Sequence, residues 1–251
     1  MAKITYRQPP KPKAATATDC GKGLVIGFIH PGQMSAYFTT SLVASLLVDQ
    51  NGPRRLVGML QEWSSANVSG SRNSIVRQFL DGPGEWLLFI DTDMAWEPPD
   101  IDAILAAADP VTAPIVGGLC FGLAAGSVFP TIYGVGTDEH GDQRLMRGCL
   151  YEPDTMTPVA ATGAAFLLVH RTVYEKVRDD GYNQTFPWFQ ETEDRGQPVG
   201  EDVTFCLRAH QSGFPVHVHT GVRIGHHKSQ VLNEALFIHQ QQTGVPRDGS
   251  E

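Results

Sequence analysis

The sequence predicts an α/β domain built on a doubly wound sheet, and three observations carry that reading. Strand-like and helix-like segments alternate through the first half of the chain, the run Leu87-Leu88-Phe89-Ile90 has no polar face, and that run ends in two carboxylates one residue apart, Asp91 and Asp93. A short strand apolar on both faces belongs inside a parallel sheet covered by helices. In such sheets ligands bind beyond the carboxyl ends of the strands, so both aspartates emerge where a substrate would sit.

The elements follow in order. Residues 24–29 form a strand stopped by His30-Pro31-Gly32, and residues 35–50 carry Phe38, Leu42, Leu46 and Leu47 at helical spacing before Asn51-Gly52-Pro53 ends the helix. Residues 55–60 make a second strand. In the helix over 70–80, Ile75, Val76, Phe79 and Leu80 face the core, leaving Arg72, Asn73 and Arg77 to point elsewhere. A helix over 99–108 and a strand over 111–116 complete a βαβαβαβ order, which implies right-handed crossovers.

The second half is less regular. The glycine-rich run 117–122 lacks the spacing of a dinucleotide or phosphate loop, so close packing explains it better. Residues 131–135 and 148–151 predict antiparallel strands around a polar turn at 138–142. The small-residue stretch 159–169 lets backbone approach a ligand near Gly163 and continues as a buried strand. A short helix follows over 171–177. Another opens at Glu201-Asp202, buries Val203, Phe205, Cys206 and Leu207, and is closed by Gly213. A strand over 216–218 precedes the extended segment 224–227, which ends in His226-His227.

Length and charge bound the class. With 251 residues the chain accommodates one large domain, expected over 23–240, between polar tails at 1–22 and 241–251. The net charge, 19 − 27 = −8, gives no basic field for nucleic acid or an anionic membrane. No apolar run approaches the roughly 20 residues that cross a bilayer, and the first residues lack a signal-peptide core, so the expected location is the cytoplasm. Cys20, Cys120, Cys149 and Cys206 are too scattered for a zinc ribbon or redox pair and read as reduced, buried thiols.

Chemistry concentrates in two acidic pairs and a histidine pair. Two carboxylates at the edge of an apolar core need a cation or hydrogen-bond donors, and oxygen ligands of this kind suit Mg²⁺ or Mn²⁺ bridging to substrate phosphates. Glu201 and Asp202 at a helix start either complement the helix dipole or supply an acid–base group. His226 and His227 project to opposite sides of an extended backbone, so at most one of them faces a given site.

Arg72-Asn73, Leu88-Phe89-Ile90-Asp91-Thr92-Asp93, Thr162-Gly163-Ala164-Ala165-Phe166, Gly200-Glu201-Asp202 with Phe205-Cys206, and Gly225-His226-His227 together resemble, in order and spacing over residues 24–230, a GT-A glycosyltransferase. The likeness is to the family 2-like group, of the kind encoded by bacteria and bacteriophages. It implies a Rossmann-like, mostly parallel central sheet flanked by helices with a small antiparallel acceptor-side extension. It implies a nucleotide-sugar donor, a UDP-sugar by default or a GDP-sugar, with its base near His30 and Pro31. Asp91, Thr92 and Asp93 would hold the ribose and the metal-bound diphosphate. Asp93 is the implied metal ligand, His226 a further one, and Asp91 touches ribose or metal. Arg72 is either a second positive contact to the diphosphate or a surface salt bridge. Asp202, or Glu201 beside it, would be the general base of an inverting transfer, whereas in a retaining one the pair would hold acceptor hydroxyls. Gly163 and Ala164 would line the acceptor side. The loop 182–190, with Phe186, Trp188 and Phe189, is either a sugar-stacking platform or core. The acceptor is a hydroxyl on a protein, glycan, lipid-linked saccharide or modified nucleobase. A nucleotidyltransferase is the competing enzyme, but the turn His30-Pro31-Gly32-Gln33 lacks the Lys or Arg a triphosphate loop needs. A non-catalytic nucleotide-sugar-binding module is the other alternative, against which both acidic pairs and the histidine argue. Oligomeric state, donor sugar, acceptor and stereochemistry stay open.

Overall fold

The computed structural model describes residues 23–229 apart from 53–54, 65, 125–126, 138–140 and 149. The tails expected at 1–22 and 241–251, and Cys20 and Cys149, lie outside the described residues. In the first half, strands β1 (Leu24–His30), β2 (Leu56–Trp63), β3 (Trp86–Ile90), β4 (Met94–Ala95) and β5 (Ile115–Leu119) enclose helices α1 (Ala36–Asn51), α2 (Val68–Asp81) and α3 (Pro98–Ala107). A run of short strands follows: β6 (Phe121–Ala124), β7 (Ser127–Pro130), β8 (Ile132–Thr137), β9 (Gln143–Arg147), β10 (Met156–Val159) and β11 (Ala161–Thr162). The chain then makes β12 (Phe166–His170), α4 (Arg171–Asp179), β13 (Thr192–Asp194), β14 (Gln197–Val199), α5 (Glu201–Gln211), β15 (Val216–Arg223) and β16 (Gly225–His226).

Seven strands form the central sheet in the order β10-β15-β5-β12-β3-β1-β2. β1 lies parallel to β2 and β3, and β15 parallel to β5, while β12 runs antiparallel to both its neighbours and β10 antiparallel to β15. The sheet is therefore mixed, with most strands sharing one direction, as the mostly parallel sheet expected from the sequence requires, and β12 is the interior strand that runs against its neighbours. The reason is the connection: between β5 and β12 the chain makes hairpins, not a crossover helix, so it re-enters the sheet from the carboxyl end of its neighbours. Phe166 consequently pairs with Ile90 and His170 with Trp86.

Both faces of β3 are buried, as its composition requires. Leu87 and Phe89 join Ile75, Phe79, Tyr174 and Phe205 under α2, α4 and α5. Trp86, Leu88 and Ile90 join Phe38, Trp96 and Ile104 under α1 and α3. Leu47, expected on the buried side of α1, is 55% exposed. Among the described residues no helix is long and apolar enough to cross a membrane.

Two strand boundaries move. The strand expected at 111–116 is β5 at Ile115–Leu119, because Asp109 accepts hydrogen bonds from the amides of Val111 and Thr112 and closes a turn there. Gly117 and Gly118 thus lie within the sheet. A Cβ at Gly117 would stand 2.9 Å from Thr162 Cγ2, and one at Gly118 would stand 2.9 Å from Ile224 Cγ1, so the glycine run is close packing. The partner of β8 is β9 at Gln143–Arg147, earlier than the expected 148–151, since the amide of Gly148 instead donates to the carbonyl of Ile132 at the hairpin's base.

Candidate active site

The carboxyl end of β3 turns sharply. The Asp91 amide donates to the Ala165 carbonyl at 2.9 Å, and the Met94 amide donates back to Asp91 at 3.0 Å, leading the chain into β4. β4 pairs antiparallel with β16, which sets His226 opposite Met94, and the His227 amide donates to the Asp93 carbonyl at 2.8 Å. A backbone pairing thus carries the late histidines to the early aspartates.

Of the two, His226 faces Asp93. Its Nε2 stands 3.0 Å from Asp93 Oδ2 and its Nδ1 stands 2.6 Å from the Phe121 carbonyl oxygen. A carbonyl only accepts, so Nδ1 carries a proton, and that bond fixes the ring with Nε2 turned to the carboxylate, as metal-binding histidines are held. The His227 ring lies on the other side, 5.1 Å from the Tyr37 ring. Lys228 Nζ also reaches Asp93 Oδ2, at 2.7 Å. Desolvation is the largest influence on Asp93 and acts upward, but the hydrogen bond and charge of Lys228, with His226, bring its pKa below the usual value. Among the described residues no group of three His, Cys, Asp or Glu forms a metal cage. An Asp–His pair nonetheless fits Mg²⁺ or Mn²⁺, which bind through one or two protein groups and leave the remaining positions to phosphate and water.

Asp91, expected to touch ribose or metal, is paired with a buried cation. Its Oδ1 is held by Arg72 Nη2 at 2.9 Å. Arg72 also lies 3.7 Å from Glu201 Oε1 through Nε, between the rings of Phe89 and Phe189 at 5.7 Å each. At 5% exposure it is neither a surface salt bridge nor free to point elsewhere. Asn73 is likewise buried, with its amide donating to the carbonyls of Ser69 and Phe189. Burial opposes the charge on Arg72, but Asp91, Glu201 and Asp202 outweigh it and raise its pKa. Desolvation raises Asp91 and Glu201 above ordinary carboxylates, with Arg72 pulling each back.

The two acids that open α5 divide their directions. Glu201 turns inward to Arg72. Asp202 turns to the β11–β12 connection, where a Cβ at Gly163 would lie 3.5 Å from its Oδ2, while its Oδ1 accepts from the Val203 amide. Gly163 and Asp202 are therefore neighbours, and Ala164 beside them is buried. Trp188 is not a sugar platform. It and Phe189 are 1% and 0% exposed, and the Trp188 indole donates to the Tyr174 carbonyl at 2.7 Å, so the aromatic loop supplies core.

At the end of β1, His30 Nδ1 accepts from the Gly32 amide, Pro31 is exposed, and Thr92 Oγ1 lies 3.4 Å from the Ile29 carbonyl. Two residues escaped the sequence reading. Lys228 belongs to no motif. Trp63, 74% exposed with its ring 5.9 Å from that of His30, was detectable only by extending β2 in register with β1, which pairs His30 with Trp63.

No protein-family model matches the sequence, and no curated protein sequence matches it. Solved structures do share its fold. The crystal structure of A197 from STIV matches with a TM-score of 0.52 at 14% identity, over 82% of this chain and 86% of that one. GalNAc-T7, crystallised with UDP, GalNAc and Mn²⁺, matches with a TM-score of 0.53 at 10% identity, over 81% of this chain and 43% of that one. The chain thus corresponds to less than half of GalNAc-T7. At these identities the likeness concerns the fold: the domain has the GT-A architecture used by glycosyltransferases.

Proposed function

We propose that the protein is a divalent-metal-dependent glycosyltransferase that moves a sugar from a nucleotide-diphosphate donor, by default a UDP-sugar, to a hydroxyl acceptor. The observation that carries this reading is the 3.0 Å approach of His226 Nε2 to Asp93 Oδ2 at the carboxyl end of the central strand, in an architecture that GalNAc-T7 uses with UDP and Mn²⁺.

Asp93 and His226 would hold Mn²⁺ or Mg²⁺, which when bound stabilises the charge developing on the departing diphosphate. The base would lie over the His30-Pro31 turn against the exposed face of Trp63. If the transfer inverts configuration, Asp202, which turns toward Gly163, is the general base. It takes the acceptor's hydroxyl proton while that oxygen bonds to the anomeric carbon, and the electron pair of the breaking carbon–oxygen bond leaves with the diphosphate. Arg72 positions Asp91 and Glu201, and Gly163 leaves room for the acceptor beside Asp202.

The test is release of UDP or GDP from a panel of nucleotide sugars, with and without Mn²⁺, for the wild type and Asp93→Ala. Metal-dependent release that the substitution removes is the expected result. Release unaffected by Asp93→Ala, or none with any donor, rejects the proposal.

A further inference from the structure

Two nitrogens approach Asp93 Oδ2 at once, Lys228 Nζ, which donates to it, at 2.7 Å and His226 Nε2 at 3.0 Å. A divalent ion bound to that oxygen and that nitrogen lies about 2 Å from each. The ammonium holds the same carboxylate oxygen that the ion would bind, and it carries the same sign of charge. Lys228 is well suited to leave: its side chain is 47% exposed, on a flexible four-carbon stem. Once it leaves Asp93 it needs another anion. A donor's diphosphate, bound to the same ion, brings one within reach.

Resting on the transferase reading above, we infer that Lys228 occupies the seat of the divalent ion at Asp93 until a nucleotide diphosphate arrives, so that ion and donor bind as a coupled pair. The protein without donor then holds the ion weakly. The donor strengthens ion binding both through its phosphate oxygens and by drawing the ammonium away. Linkage requires the ion to strengthen nucleotide binding by the same factor. Lys228 is in this account a positioning residue for the ion and a direct contact to the leaving diphosphate.

The experiment measures Mn²⁺ binding by the electron paramagnetic resonance of free Mn²⁺, and UDP and GDP binding by calorimetry, for the wild type and Lys228→Met at one pH. Removing a unit positive charge a few ångströms from a dication improves its binding on the order of tenfold even at water's dielectric. Lys228→Met is therefore expected to bind Mn²⁺ about tenfold more tightly than the wild type without nucleotide. It is also expected to bind nucleotide more weakly without metal, and to show a smaller tightening of Mn²⁺ by nucleotide. Loss of Mn²⁺ binding on adding Asp93→Asn in both backgrounds, with circular dichroism unchanged, places the effect at this carboxylate. If Lys228→Met binds Mn²⁺ no more tightly than the wild type while both bind it with nucleotide present, the inference fails and the transferase reading stands. If neither protein binds Mn²⁺ with UDP or GDP present, both fail.

Discussion

Replacing Arg72 with Met tests whether the two acidic motifs are tied through one buried cation. The guanidinium is 5% exposed and serves Asp91 at 2.9 Å and Glu201 at 3.7 Å. Removing one partner of a fully buried ion pair costs about 3–5 kcal/mol, because the other charge is left uncompensated. Two features reduce that figure here. The Asp91 side chain is 40% exposed, so it recovers water. Arg72 Nε and Nη1 are buried without a hydrogen-bond partner, and deleting them relieves a penalty of about 1–3 kcal/mol. The net expectation for Arg72→Met is a destabilisation of about 2 kcal/mol. Urea unfolding followed by tryptophan fluorescence measures it, with circular dichroism as a second probe. The triple variant Arg72→Met, Asp91→Asn, Glu201→Gln removes the stranded charges along with the cation, and buried ion pairs replaced as a unit are often near neutral. It is therefore expected to regain more than half of the loss. A single variant as stable as the wild type, or a triple variant no more stable than the single, refutes the reasoning.

The aromatic loop and the histidines give two further tests. Trp188→Ala is expected to cost about 3–5 kcal/mol in urea unfolding, as large-to-small core substitutions do, and Trp188→Phe about 1 kcal/mol for the lost indole hydrogen bond to the Tyr174 carbonyl; unchanged stability with a changed acceptor KM would return the residue to the sugar site. Burial lowers the pKa of His170, His217 and His219 below their usual 6.5, so the unfolded chain binds more protons as pH falls through that value. Stability is then full above about pH 6.5 and lost as pH drops toward the folded values. The melting temperature is expected to fall between pH 7.5 and 5.5, less so in His217→Asn, and a flat profile would contradict the assignment. Asp91 and Glu201 are raised and act in the opposite sense, so the comparison of His217→Asn with the wild type isolates the histidine contribution.

What the sequence made legible was what periodicity encodes. β3 was visible because four consecutive apolar residues leave no solvent face, and α2 and α5 because their apolar positions repeat at helical spacing. The direction of β12 was not, since Phe166-Leu167-Leu168-Val169 reads alike whichever way the strand runs, and only the connection decides. Arg72 was misjudged although its signal was present. It stands three, four and seven residues before Ile75, Val76 and Phe79, on the same helical face, and a charge within an apolar stripe is buried with a partner. Trp188 was left open because loop residues carry no periodicity. Lys228 could not be found at all, since its role depends on β4 and β16 pairing across more than a hundred residues.

The irregular second half completes the site. A purely parallel sheet would deliver Asp91 and Asp93 to the end of β3 and leave them there. The antiparallel entry of β12 brings the Ala165 carbonyl to the Asp91 amide and Gly163 to Asp202. The start of β6 supplies the Phe121 carbonyl that orients His226. Gly118 then links sheet to site: a Cβ there would press on Ile224 at 2.9 Å and Phe166 at 3.0 Å. Ile224 stands two residues before His226 and Phe166 one residue after the carbonyl that fixes Asp91. The imidazole and the strand-end carboxylate are thus registered against each other through a single glycine in the core. Because packed interiors shift as units, side-chain volume added at Gly118 is transmitted to both halves of the site.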